Sequence, residues 1–293
     1  MTYQETDQKK YSPGYNDVEF RQALKIFLDH GRTDCSRSDA KLEQRFNLQY
    51  DQEEQCGDRL DHIKSFLGDV KGKKVLEIGS GSGGLSVALA RLGALVCGVE
   101  PDEKGFSVCQ LRKKRYPDID LKFMQCPAEK LLFENDQFDY VVMISVLEHV
   151  ADPRQSLREI YRVLKPGGVC FVDMPNRLWP IEAHYRMWLF PVLPKWCMKS
   201  YLRVHGKSPR EIDYINFFTE GTLSRELRRV GFTHIVQHSK KELLNKINNS
   251  QNIHTTSIQK ILKIPVLGWV MLWVLQGAVH CSLYPTLRAT AVK

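Results

Sequence analysis

The chain predicts an α/β protein built on a doubly wound, mostly parallel sheet. Three observations carry that expectation. Short apolar runs alternate with helical patterns between residues 75 and 174, and the connections are short. The first run ends in a glycine-rich turn, VLEIGSGSGG (75–84), that opens a helix. The chain closes on TLRATAV (286–292), which alternates like a strand with Leu287, Ala289 and Ala291 on one face.

Each element has its own signal. Residues 1–17 are polar and read as a flexible lead-in. Residues 18–30 form an amphipathic helix with Phe20, Leu24, Phe27 and Leu28 on one face. Helical pattern continues over 45–55 and 59–67, and Gly68 and Gly72 break it. Strands follow at 75–78, 94–99, 121–124, 138–146 and 169–174, with helices at 83–92, 104–115 and 153–164 between them. Gly167 and Gly168 turn the chain into the fifth strand. Residues 175–219 are rich in Trp, Tyr and Pro and lose the alternation. A helix at 220–230 and a sixth strand at 233–237 resume it. A basic stretch (240–263) then leads into the most apolar run of the chain, IPVLGWVMLWVLQGAV (264–279).

Composition sets outer limits. A chain of 293 residues, 43% hydrophobic, can bury a full core as one large domain or two small ones. A net charge of +8 fits an acidic partner, an anionic membrane surface or an ordinary basic enzyme, and alone does not favour nucleic acid. None of the eight cysteines forms a Cys-x-x-Cys pair, so neither a zinc site nor a disulfide framework is indicated, and no metal is expected. The cysteines in strand patterns read as small hydrophobes of a reducing, cytoplasmic protein. The first ten residues hold no apolar signal core, so secretion is not expected.

The glycine loop follows a strand and opens a helix, the context in which such a pattern binds a nucleotide-like cofactor. Glycines permit positive φ and close backbone approach to a ligand. Read as Gly79-x-Gly81-x-x-Gly84, the loop resembles a dinucleotide fingerprint. Glu77 argues otherwise, because a carboxylate here repels a pyrophosphate but suits a cationic amino-acid group. Glu100, ending the second strand, is placed to accept hydrogen bonds from ribose hydroxyls. Both cofactor classes use such an acid, so it does not discriminate.

Four segments in order do discriminate: VLEIGSGSGG, GVEPDEKG, FDYVVMISVLEHVADP and YRVLKPGG. With them the chain resembles the class I S-adenosylmethionine-dependent methyltransferases over about residues 60–175. Its likeness is greatest to the type 11 group, which includes quinone-biosynthesis O-methyltransferases and bacterial lipid and glycan methyltransferases. The resemblance implies a Rossmann-like methyltransferase fold of seven strands in the order 3-2-1-4-5-7-6, the last antiparallel. It implies S-adenosylmethionine as cofactor, held by Glu77, Gly79, Ser80, Gly81, Gly83, Glu100, Pro101, Ala128, Glu129, Ser145 and Leu147. One position departs from the pattern. Relatives carry an acid before the Ala that follows the third strand, and here Pro127 takes its place, which passes the adenine contact to Ala128 or Glu129.

The implied organisation is an N-terminal helical cap (1–58) and a methyltransferase domain (59–293), whose insertions 175–219 and 240–281 form an acceptor cap. Both insertions leave the carboxyl ends of strands, where ligands bind in such sheets. A hydroxyl acceptor must lose a proton, and His149 and His184 are the candidate bases. For His149 the competing reading is packing against the cofactor loop, and for His184 a polar residue fixing its own loop. Glu148 reads as a structural hydrogen-bonding group.

The run 264–279 is shorter than a bilayer span and lies between two strands of one sheet, which disfavours a transmembrane helix. It reads either as a buried cap helix or as a surface helix at the membrane, with Trp269 and Trp273 one turn apart and five lysines ahead of it. The acceptor expected is an amphipathic or lipid-linked small molecule, with peripheral membrane contact through 264–279. The rival expectations are a soluble metabolite or tRNA as acceptor, a non-catalytic cofactor-binding module, and a dehydrogenase. No Asn/Asp-Pro-Pro-aromatic stretch follows the fourth strand, which speaks against a base-modifying nucleic-acid enzyme.

Overall fold

One seven-stranded sheet organises the computed structural model, which describes residues 12, 14–30, 39–185, 187–188, 193–248 and 285–293. Four helices come first: α1 (Asp17–His30), α2 (Asp39–Tyr50), α3 (Gln52–Gln55) and α4 (Gly57–Leu67). The alternating region follows as β1 (Lys74–Ile78), α5 (Gly84–Arg91), β2 (Leu95–Val99), α6 (Glu103–Lys114), β3 (Leu121–Met124), β4 (Phe138–Ile144), α7 (Pro153–Val163) and β5 (Leu164–Pro175). The insertion after β5 holds β6 (Ile181–Glu182), β7 (Met187–Trp188), α8 (Lys195–Val204) and α9 (Glu211–Tyr214). The described chain closes with α10 (Glu220–Val230), β8 (Thr233–Gln237), α11 (Ser239–Asn248) and β9 (Thr286–Val292).

The strands run in the order β3-β2-β1-β4-β5-β9-β8. The first five are mutually parallel, and β9 is antiparallel to both β5 and β8. This is the order the resemblance implies. Strand periodicity explains the two cores. Leu76, Val141, Met143, Cys170 and Val172 face one side with Leu287, Ala289 and Ala291 of β9, under α7 and α10. Val75, Val142 and Phe171 face the other, against α4 and α5.

Helix ends follow local chemistry. Asp102 caps α6 by accepting the Gly105 N–H, and Asp152 caps α7 by accepting that of Gln155, with Pro153 in the first turn. Thr219 and Thr222 form a reciprocal capping box on α10.

Most boundaries move by a residue or two, and three differences have a clear local cause. The helix expected over 45–55 is two, because Asp51 leaves helical geometry. The fourth strand stops at Ile144, since Ser145 adopts φ 54°. The fifth begins at Leu164, where it first pairs with Phe138 before a bulge.

The N-terminal helices dock on α6, burying Phe20, Leu24 and Leu28 with Phe46, Tyr50, Val108 and Leu111. Beneath them lies a buried ionic knot. Glu53 pairs with Arg112 and, at 3.2 Å, with Arg115, all three nearly inaccessible. The apolar run 264–279, and with it most of the second insertion, lies outside the described residues.

Candidate active site

β1, β4 and β5 are parallel neighbours, so the loops that follow them emerge together at one edge of the sheet. The glycine loop leaves β1 with φ 71° at Gly79 and 58° at Gly81, values that favour glycine. A Cβ on Gly79 would lie 2.3 Å from Val146 Cγ2, so this loop touches the one after β4. A Cβ on Gly81 would meet nothing within 4 Å and would fill the open side of the loop.

Glu77 points into this loop while nearly inaccessible itself. It accepts a hydrogen bond from Ser86, and Ser80 Oγ lies 3.5 Å from Ser86 Oγ. Burial pushes its carboxyl from 4.5 up to about 7, opposed by the Ser86 hydrogen bond and the charge of Arg59 on α4. A buried acid of this kind calls for a cation, and a loop open at Gly81 leaves room for one beside it. The residues therefore fit the expected cofactor.

Glu100 accepts the Gly81 N–H at 2.7 Å and that of Asp102 at 3.1 Å, closing the loop from the β2 side. A carboxylate has about four acceptor positions, so two remain. Its pKa is raised, chiefly by burial.

The structure distributes the remaining predicted residues unevenly. Gly83 begins α5 in a left-handed conformation. Ser80 is buried, and Pro101 and Ser145 are exposed. Leu147 and Ala128 belong to the apolar core, and Leu147 has no exposed surface. The Leu147 side chain packs against the sheet, so only its backbone is left to meet a ligand. Glu129 is committed to the backbone after the His149 turn, accepting the N–H of Ala151 at 2.7 Å and of Asp152 at 3.3 Å.

The two candidate bases, 35 residues apart, meet: His149 Nε2 lies 3.1 Å from His184 Nε2. His184 Nδ1 lies 2.6 Å from Glu182 Oε1, a partner that sequence reasoning missed although it stands two residues away. One carboxylate oxygen of Glu148 and one ring nitrogen each of His149 and His184 fall within 4.8 Å of one another. Burial lowers the His149 pKa to about 4, helped by His184. Burial works against protonation of His184 too, but the hydrogen bond and charge of Glu182, with Glu148 and Glu211, raise its pKa overall.

Glu148 corrects one expectation. It is buried, yet neither carboxylate oxygen has a hydrogen-bond partner among the described residues, so it is not a structural hydrogen-bonding group. Burial raises its pKa to about 7. Both acids and His184 line a pocket walled by Trp179, Ile181 and Phe217. Asn216 ties that wall to the loop after β4, bonding the Glu148 and Val150 carbonyls.

The N-terminal helices also reach the glycine loop, a contact without a sequence signal. Ser82 Oγ lies 2.6 Å from Gln49 Oε1 and 2.7 Å from Gln52 Oε1. The Arg112 guanidinium donates to the carbonyls of Ser82, Gln49 and Tyr50.

Residues 76–172 match a family model described as a methyltransferase domain. A ubiquinone biosynthesis O-methyltransferase of Pseudomonas entomophila is 43% identical over 107 residues, 36% of this chain and 46% of that protein. One from Acinetobacter baylyi is 30% identical over 174 residues, 59% of this chain and 68% of that protein. The match thus spans about half of the first relative and two thirds of the second. Among solved structures, an S-adenosylmethionine-dependent methyltransferase of Mesorhizobium loti superposes with a TM-score of 0.51 at 19% identity, covering 80% of this chain and 96% of that one. A Haemonchus contortus phosphoethanolamine N-methyltransferase 2 in complex with S-adenosyl-L-methionine gives 0.52 at 21%, covering 80% and 51%. At these identities the likeness shows the fold.

Proposed function

This chain belongs to the class I S-adenosylmethionine-dependent methyltransferases, and from that premise we propose that it methylates a hydroxyl of an amphipathic or lipid-linked small molecule. The observation that carries the reading is the Glu182–His184 pair lining the pocket behind Glu148, with His149 meeting His184 at its edge. The names of the curated relatives specify O-methylation in quinone biosynthesis, which supports oxygen as the methyl acceptor.

Bound S-adenosylmethionine supplies a methyl group already activated on a sulfonium centre. Glu77 and Arg59 offer opposite charges to its amino-acid end, and Glu100 has acceptor positions for its ribose. The chain's main task is then alignment. Trp179, Ile181 and Phe217 exclude water from the acceptor, and an imidazole takes its proton.

Apolar pocket walls favour an acceptor with an apolar body. Trp188 and Trp196 are 61% and 69% exposed on the same insertion, near basic Lys195 and Arg203, which supports peripheral contact with an anionic membrane. No helix among the described residues is long and apolar enough to cross a membrane.

The test is incubation of the protein with methyl-labelled S-adenosylmethionine and fractionated cell extract. Base-stable label in the lipid fraction is expected. Label confined to RNA or to water-soluble metabolites would overturn the proposal.

A further inference from the structure

Glu182 occupies β6, one side of a two-residue hairpin paired with β7. Its carboxylate is nearly inaccessible and fully engaged on one oxygen. Oε2 accepts the backbone N–H of His184 at 2.8 Å and of Tyr185 at 2.7 Å. Oε1 faces His184 Nδ1. An ionised carboxylate only accepts, so His184 Nδ1 must carry the hydrogen between them.

That assignment leaves Nε2 as the nitrogen of His184 that gains or loses a proton. It faces His149 Nε2, and a single hydrogen can lie between the two. The rings are otherwise unequal. His184 lines the pocket and His149 does not. His184 has the Glu182 carboxylate at Nδ1, and His149 has no hydrogen-bonded carboxylate among the described residues. The charged groups facing His184 are Glu182 on its own hairpin, Glu148 after β4 and Glu211 of α9, with Arg177 lining the same pocket.

We propose that Glu182 is a positioning residue that fixes the His184 tautomer and makes His184, not His149, the group that takes the acceptor's proton. This rests on the reading of the pocket as a hydroxyl acceptor site. The acceptor's O–H bond breaks as its oxygen gains the methyl group, while the C–S bond to the sulfonium breaks and its electron pair stays on sulfur, leaving a neutral thioether. The proton passes to His184 Nε2, in the position that the His149 N–H fills in the ligand-free chain. The resulting imidazolium is held opposite Glu182, which stays ionised throughout, and solvent later removes the proton. The arrangement follows the general logic of a base oriented by a third group.

The test is a ring-nitrogen NMR titration of the full, cofactor-free chain labelled with ¹⁵N-histidine, in EDTA to exclude stray cations. H149Q and H184Q assign the signals. Neutral His184 is expected to carry its hydrogen on Nδ1 and to titrate above the ordinary 6.5. Glu182→Gln should lower its proton affinity at least tenfold, and Glu182→Asp should restore part of it. Glutamine keeps an oxygen for the two backbone donors, and unchanged S-adenosylmethionine affinity by calorimetry shows that the fold survives. In turnover, the acidic limb of the kcat–pH profile should move to lower pH in E182Q with KM for the acceptor unchanged. An unmoved His184 midpoint, or a hydrogen on Nε2 in neutral His184, would overturn the proposal. The NMR arm needs no acceptor. A failure to find hydroxyl methylation would therefore count against the proposed function, while the tautomer and midpoint of His184 would still decide the role of Glu182.

Discussion

Replacing Glu77 with glutamine keeps the shape of the side chain and its acceptor for Ser86 while removing one titrating proton. Burial is what makes that proton consequential, because it lifts the carboxyl from 4.5 to about 7. A carboxyl whose pKa is higher in the folded chain binds more protons there than in the unfolded chain between those values. Its contribution is therefore fully present below about pH 4.5 and is lost as pH rises through about 7. At 1.36 kcal/mol per pH unit, ionising Glu77 in the fold costs on the order of 3 kcal/mol. The glutamine carries fixed differences of its own, such as a buried amide donor, but these do not vary with pH. The stability of Glu77→Gln relative to the parent should thus rise by about 3 kcal/mol between pH 4.5 and 8. Urea unfolding of the cofactor-free protein at several pH values measures it. Calorimetry near pH 6.5, in buffers of different ionisation enthalpy, gives a second reading. The parent should release a proton on taking up S-adenosylmethionine, and Glu77→Gln should release none and bind at least tenfold more weakly. A stability difference that stays flat across that range would refute the burial argument. Flat proton release would refute the pairing of Glu77 with a cation.

Two further substitutions test the frame around this acid. Glu100→Ala removes both the candidate ribose acceptor and the partner of the Gly81 N–H, so S-adenosylmethionine affinity should fall at least tenfold, about 1.4 kcal/mol by calorimetry. Unchanged affinity would refute the placement of the ribose. Glu53→Ala leaves Arg112 buried without its acid and Arg115 facing only the more exposed carboxylate of Asp17 among the acids paired with it here, and should cost about 3–5 kcal/mol in urea unfolding. A loss below about 1 kcal/mol would mean that water reaches the guanidiniums once the acid is gone.

The sheet was legible because its signals are local and repeat. Alternation in β9, the glycine turn after β1 and the Asp-Pro start of α7 each report on a few neighbouring residues, and the resemblance supplied their order. The positions of Glu77 and Glu100 at the carboxyl ends of β1 and β2 were legible for the same reason. The ionic knot was not, because Glu53 stands about 60 residues from Arg112 and only the docking of α1 and α2 on α6 brings them together. The burial of the Leu147 side chain was hidden for a related reason: a segment that borders a ligand site also has an inward face, and spacing alone does not say which face a residue takes. The meeting of His149 and His184 falls between these cases. Parallel strands send the loops after β4 and β5 to one edge, so the convergence of the two segments follows from the topology. What does not follow is which ring ends as the base. That depends on Glu182, whose Glu-x-His spacing with His184 was visible but acquires chemical meaning only when the β6–β7 hairpin folds back. The carboxylate is then fixed by two backbone N–H groups behind one imidazole and not the other. The asymmetry of the pair is therefore a property of the insertion, and the LEHV segment that carries His149 would look the same with or without it.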